Sequence, residues 1–185
     1  MPESIDYTFL STLEGGSRST GYVPAIGISK SGVTIATGFD LGQRTEGDLS
    51  SLKLSSQLIA KLKPYLGAKG KNAQALLKKS PLIIALAEAK AIDKAVKSDH
   101  IAKLKSKYNS APGNKIIFTN LPPEAQTVII SVSFQYGIAL NTETPIFWKA
   151  VTSQDWPKVI AQLKSFGDAY PTRRNKEAAL MEKIK

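Results

Sequence analysis

The sequence predicts an α+β fold, a small β-hairpin lobe joined to a larger helical lobe. Residues 21–28 and 33–41 are strand-like, rich in Val, Ile, Tyr and Thr. From about residue 55 onward the apolar residues recur at helical spacing. A run of strands followed by a run of helices is the α+β pattern. With 185 residues and no repeat or low-complexity segment, the chain is long enough for one ordinary domain with a sizeable core. We therefore expect a single domain over 1–185, with an N-terminal helix and hairpin lobe over about 1–50 and a helical lobe over about 51–185.

Each element has a local reason. Residues 4–14 put Ile5, Phe9 and Leu13 at helical spacing, with Ser4 as candidate N-cap and Gly15-Gly16 as the stop. "SKSG" at 29–32 reads as the connection between the two strands. "LSSQLIAKLKPYLG" is a helix ended by a Pro and a Gly, and Ser80-Pro81 reads as N-cap and first position of a long helix over "LIIALAEAKAIDKAVK". After the loop "NSAPGNK", the helix "LPPEAQTVIISVSFQYG" starts at prolines and stops before Gly137. "TSQDWPKVIAQLKSFG" has Thr152 or Ser153 as cap and Gly167 as stop, and "PTRRNKEAALMEKIK" is the last helix.

The net charge of +10 is unevenly spread: residues 1–50 carry 3 basic and 6 acidic side chains, 51–115 carry 14 and 3, and 116–185 carry 8 and 6. The basic middle attracts anionic polymers, such as nucleic acid, an anionic membrane surface or a bacterial wall, and would equally serve as a solvated lysine face. Its lysines show little aromatic interleaving and no recognised motif, which argues against nucleic acid. The chain has no cysteine, which excludes disulfides, thiol nucleophiles and cysteine metal sites. The lone histidine, His100, has no second histidine to work with, so we expect it at the surface or a helix terminus rather than in a metal site or triad. "MPESIDYTFL" has neither the basic nor the apolar region of a secretory signal, and no apolar run reaches the length of a membrane span.

Two carboxylates stand out. Read as one strand, 33–41 puts Val33, Ile35, Phe39 and Leu41 on a core face, with Thr37 among them. Thr34, Ala36, Gly38 and Asp40 then line the other face, a shallow trough with a hydroxyl at one end and a carboxylate at the other. The plainer reading is that Asp40 brackets a turn before "LGQRTEGD". Glu14 ends the first helix, where the negative pole of the macrodipole opposes a negative charge and favours the protonated form that a general acid needs. An acid and an ionised carboxylate in different surroundings make the pair a glycoside hydrolase uses.

"LEGG", "GYVP" and "SGVTIATGFDLGQRT" together resemble the pesticin-type muramidase domain of the phage-type lysozyme superfamily, which includes bacterial toxins and phage endolysins. "FQYG", the Trp helix "DWPKVIAQLKSF" and "YPTRRNKEA" resemble the C-terminal lobe of phage lysozymes, while 60–115 match loosely. The resemblance implies a lysozyme-like fold with a substrate cleft between its lobes. It implies Glu14 as catalytic acid, Asp40 as the carboxylate that activates water, and Thr34 as the threonine that helps hold that water. In the broader phage lysozymes the Asp precedes the Thr; here it follows, as in the pesticin branch. Arg173, favoured over Arg174, matches the arginine that approaches the glutamate from the last helix, and Gln135 and Tyr136 are candidate cleft-lining residues or core packing. The implied activity is hydrolysis of the β-1,4 bond between N-acetylmuramic acid and N-acetylglucosamine, with inversion, which needs carboxyl groups roughly 6.5–9.5 Å apart.

No metal or cofactor is expected. The expected partner is the peptidoglycan glycan strand, joined by an immunity or inhibitor protein if the chain is a delivered effector. We expect no nucleic acid, no stable membrane insertion and a monomer. Synthesis in the cytoplasm without a signal peptide, followed by holin release or effector delivery to the periplasm or wall, fits the N-terminus. The alternatives are a non-catalytic wall- or glycan-binding module on a lysozyme scaffold and a chitinase-like hydrolase.

Overall fold

The computed structural model describes residues 4–24 and 31–184. In chain order its α-helices are α1 (Tyr7–Thr12), α2 (Glu46–Ser51), α3 (Ser56–Leu62), α4 (Gly70–Lys79), α5 (Leu86–Asn109), α6 (Pro123–Tyr136), α7 (Leu140–Glu143), α8 (Pro145–Thr152), α9 (Trp156–Lys164) and α10 (Pro171–Met181). The strands are β1 (Arg18–Tyr22), β2 (Thr34–Ala36) and β3 (Phe39–Asp40), an antiparallel sheet in that order. Helices and a small antiparallel sheet make this an α+β fold.

The chain divides into two compact units, one joining the N-terminal residues through Glu14 to those from His100 onward, the other spanning Gly15–Asp99. The lobe boundary expected near residue 50, with the first helix in the hairpin lobe, is thereby corrected. Leu10 of α1 is 2% exposed in one core with Ile101, Leu104, Val128 and Ile129. The Asp6 amide also donates to Thr127 Oγ1 of α6 at 2.9 Å. Burial of a large side chain at this site outweighs chain proximity to the sheet.

In the unit of residues 15–99, the segment 33–41 is not one strand but a tight hairpin. Ile35 pairs with Phe39 and Thr34 with Asp40, and the chain reverses through Thr37 and Gly38 with Ala36 (φ 54°) and Gly38 (φ 86°) in left-handed conformations. The reversal is pinned from outside. The Thr37 amide and hydroxyl donate to Asp93 of α5 at 2.8 and 2.9 Å. Of the expected strand over 21–28, Gly21 and Tyr22 belong to β1, which starts earlier at Arg18, and residues 25–30, with half of the "SKSG" connection, lie outside the described residues.

Ser80-Pro81 does not start the long helix. Ser80 is the C-cap of α4, and the next residues are extended: the Gly21 amide donates to the Leu82 carbonyl at 2.8 Å and the Ile84 amide to the Ser19 carbonyl at 2.9 Å. Sheet pairing wins because Ile83-Ile84 favour extended backbone and β1 offers a free edge. The helix begins at Leu86, where Glu88 takes the Ala85 amide at 2.8 Å and the Lys61 ammonium at 2.8 Å. Val33, Ile35, Leu41, Leu49, Leu62 and Ile92 are fully buried in this unit's core.

In the other unit α6 is buried on all sides from Ala125 to Ser133, the mark of a central helix. Its polar side chains are each satisfied: Gln126 donates to the Leu121 carbonyl at 2.9 Å, Thr127 to the Pro123 carbonyl at 2.8 Å and Ser133 to the Ile130 carbonyl at 2.8 Å. His100 is half-buried and not at a helix end. It sits within α5, its Nε2 2.9 Å from Ser133 Oγ and its ring tilted against Phe134. Around α6 pack α1, α7 and α10, while α9 packs between α8 and α10. The caps of α1 and α9 are aspartates, Asp6 and Asp155, rather than Ser4, Thr152 or Ser153, each accepting an amide of the first turn.

Candidate active site

Glu14 lies two residues past the end of α1, its amide donating to the Ser11 carbonyl, its side chain 15% exposed. A cation stands beside it: Arg173 Nη2 is 3.7 Å from Glu14 Oε1. The local field is thus not that of a helix terminus alone, as the sequence suggested, because α1 spans only 6 residues and α10 supplies a guanidinium.

Arg173 is held on every side. Its Nη1 donates to the Leu13 carbonyl at 3.1 Å, its Nη2 to the Ser131 carbonyl at 2.9 Å and to Ser131 Oγ at 3.0 Å, and its Nε to Glu177 Oε1 at 3.2 Å. Glu177 is fully buried and bridges both arginines, taking Arg174 Nη1 on its other oxygen and the Ser131 hydroxyl on the first. Without that carboxylate, two neighbouring guanidiniums would be buried together uncompensated.

Arg174 turns the other way. It is 1% exposed, donates to Asp168 at 2.8 Å and to Gln135 Oε1, and lies over the Phe166 ring at 4.6 Å. Burial would lift the Asp168 carboxyl, but hydrogen bonds from Arg174, Tyr136 and the Tyr170 amide hold it below its ordinary value. The same burial and the Asp168 charge push the Tyr136 phenol above its usual range. Gln135 and Tyr136, neighbours in the chain, serve different places. Gln135 lines a cavity of about 390 Å³ with Thr12, Leu13, Tyr170, Arg173 and Lys176. Tyr136 lines one of about 420 Å³ with Pro145, Phe147 and Phe166, its hydroxyl donating to Asp168 at 2.9 Å.

Asp40 is built into the other unit by the backbone. Its Oδ1 accepts the Gly32 amide at 2.9 Å and the Gly42 amide at 2.8 Å, so it does bracket the turn over Leu41–Gln43. Those two glycines are pressed together: a Cβ on Gly42 would meet the Gly32 Cα at 2.6 Å, and one on Gly32 would meet the Ala68 carbonyl at 2.4 Å. Among the described residues, Oδ2 accepts no hydrogen bond and stays available for chemistry. Thr34, its cross-strand partner, is 2% exposed and donates to the Gly32 carbonyl at 3.2 Å. That leaves the hydroxyl's lone pairs as acceptors. Thr37, the rival threonine, is spent on Asp93.

The structure thus groups Glu14, Arg173 and Gln135 in one unit, and Thr34 and Asp40 in the other. Residues that sequence reasoning missed are supports: Ser131, Glu177, Asp93, Gly32 and Gly42. Only Glu177 had a signal, the Arg-Arg-x-x-Glu spacing that puts it one helical turn from both arginines. Among the described residues no cluster of three or more His, Cys, Asp and Glu side chains could hold a metal ion, and no helix is long and apolar enough to cross a membrane.

Compared with known families, residues 4–157 match the family described as "Pesticin: Bacterial toxin homologue of phage lysozyme, C-term". No curated protein matches the chain. The match stops short of α10, so the arginine beside Glu14 lies beyond the matched residues.

Proposed function

Because the chain belongs to this family of phage-lysozyme-like bacterial toxin domains, we propose that it is an N-acetylmuramidase that lyses bacteria by cutting peptidoglycan glycan strands. Membership points to a glycoside hydrolase of the muramidase type. The finer reading concerns the bond, the residues and the stereochemistry. The observation that carries it is Glu14 facing a guanidinium that is itself fixed by a backbone carbonyl, a serine and a buried glutamate. A carboxyl in that setting is oriented before substrate arrives, as general acid catalysis requires.

In the proposed mechanism Glu14 gives its proton to the glycosidic oxygen as the bond from that oxygen to C1 of N-acetylmuramic acid breaks and positive charge develops at C1. A water whose proton is taken by Asp40 Oδ2, and which donates its other hydrogen toward Thr34 Oγ1, forms the new C1–O bond from the opposite side. The products are an N-acetylmuramic acid reducing end, first as the α anomer, and a free 4-hydroxyl on N-acetylglucosamine. Arg173, whose Nη2 is 3.7 Å from Glu14 Oε1, positions the carboxyl. The protein would act in the periplasm or wall, with an inhibitor protein as partner where it is delivered as an effector.

The test is the turbidity and reducing-end chemistry of purified peptidoglycan treated with the wild type and with Glu14→Gln. Muramic-acid reducing ends from the wild type, and a loss of at least about a hundredfold in the variant, are expected from the usual size of general acid catalysis. Equal cleavage by both proteins, or none by either, would sink the reading.

A further inference from the structure

One row of the sheet runs from Tyr22 to Thr34 to Asp40, each residue paired directly with the next. Directly paired residues on adjacent strands share a face, so the half-buried Tyr22 stands beside Thr34, two strand spacings, roughly 10 Å, from Asp40. The register shifts between Arg18 and Tyr22, and the Arg18 guanidinium lies over the Tyr22 ring at 4.5 Å from its centre. Arg18 is exposed, and among the described residues it makes no ion pair and the Tyr22 hydroxyl makes no hydrogen bond. The mechanism above uses neither residue.

A guanidinium stacked on a ring has part of its rotamer freedom already removed, while its N–H edge still faces solvent. Beside it the ring offers an apolar edge to sugar C–H groups and to an acetamido methyl. The pair therefore matches a ligand with an apolar sugar or acetyl face and a carboxylate close by. A neutral N-acetylglucosamine polymer supplies the first and lacks the second. The muramyl side of peptidoglycan, with its anionic stem peptide, supplies both.

We propose that Arg18 and Tyr22 form a recognition site for the peptide-bearing N-acetylated sugar next to the cleaved bond, and so set a preference for anionic peptidoglycan over neutral glycan. This rests on the hydrolase reading given above. Tyr22 takes the sugar face, and Arg18 takes a stem-peptide carboxylate.

The test compares kcat/KM on soluble peptidoglycan fragments with kcat/KM on the same fragments after their carboxylates are converted to amides. The wild type is expected to prefer the anionic form. In Arg18→Gln that preference falls about fivefold, the upper range for an exposed ion pair, and Arg18→Lys, which keeps charge without the planar fork, falls between. Tyr22→Leu loses about tenfold on both substrates. An Arg18→Gln preference equal to the wild type's, or Tyr22→Leu cleaving both at wild-type efficiency, overturns the proposal while leaving the hydrolase intact. A wild type that cleaves neither substrate overturns the hydrolase reading and this site with it.

Discussion

Replacing Asp40 by asparagine keeps an oxygen where the Gly32 and Gly42 amides donate, whereas alanine removes it. The two substitutions therefore separate the turn-holding role of the residue from its chemistry. Asp40→Asn should unfold in urea close to the wild type, and Asp40→Ala should lose about 1–3 kcal/mol by leaving two amides unpaired. Both should lose hydrolysis of peptidoglycan. If Asp40→Asn cleaves at the wild-type rate, Asp40 is a structural residue only. Sequence periodicity put Thr34 and Asp40 on one face by treating 33–41 as a single strand. The true arrangement is a hairpin centred on Thr37, with Thr34 opposite Asp40. Partners across a turn centred on a residue are always an even number of positions apart, so parity gives one answer for both geometries and cannot tell them apart.

Between elements, α10 is fastened to α6 through Arg173, Arg174, Glu177 and Ser131. Arg174→Met would leave Asp168 and one oxygen of the buried Glu177 without their guanidinium. Breaking a buried pair from one side costs about 3–5 kcal/mol, so the urea midpoint should fall sharply. A midpoint within experimental scatter of the wild type would show that water replaces the cation. These helices were legible because prolines at their starts and glycines past their ends are local signals, as with Pro123 and Gly137 of α6. The start of α5 was not, since a distant edge strand captured Leu82–Ile84, and no local pattern reports on a sheet edge some 60 residues away in sequence. The same limit hid Ser131, a small hydroxyl in an apolar run whose use depends on α10.

Over the whole molecule, charge and titration follow the two units. The basic middle of the sequence becomes, in space, a unit over Gly15–Asp99 with 13 basic and 6 acidic residues, against 12 and 9 in the other. In the second of these, three groups tie stability to pH. Asp168 is held below its ordinary value, so its contribution is present above about pH 3.8 and is lost as pH falls through its folded-state value. The Tyr136 and Tyr108 phenols are pushed up, chiefly by burial, so their contributions are present below about pH 10 and are lost as pH rises through the folded-state values. Melting temperatures across pH should therefore fall on both sides, with Asp168→Asn flattening the acid limb and Tyr136→Phe the alkaline one. Limbs that keep their slopes in these variants would assign the transitions to other groups.

The bond from Arg173 to the Leu13 carbonyl spans 160 residues. Glu14 is among the first parts of its unit to be synthesised and its guanidinium among the last, and at about 5–20 residues per second the interval between them is roughly 8–30 s. While a chain is being made, the sheet unit can fold but the acid has no fixed arginine beside it. Until α10 has been made, Glu14 therefore lacks the cation that stands beside it in the finished unit, and that pairing is one of the last contacts of the unit to form.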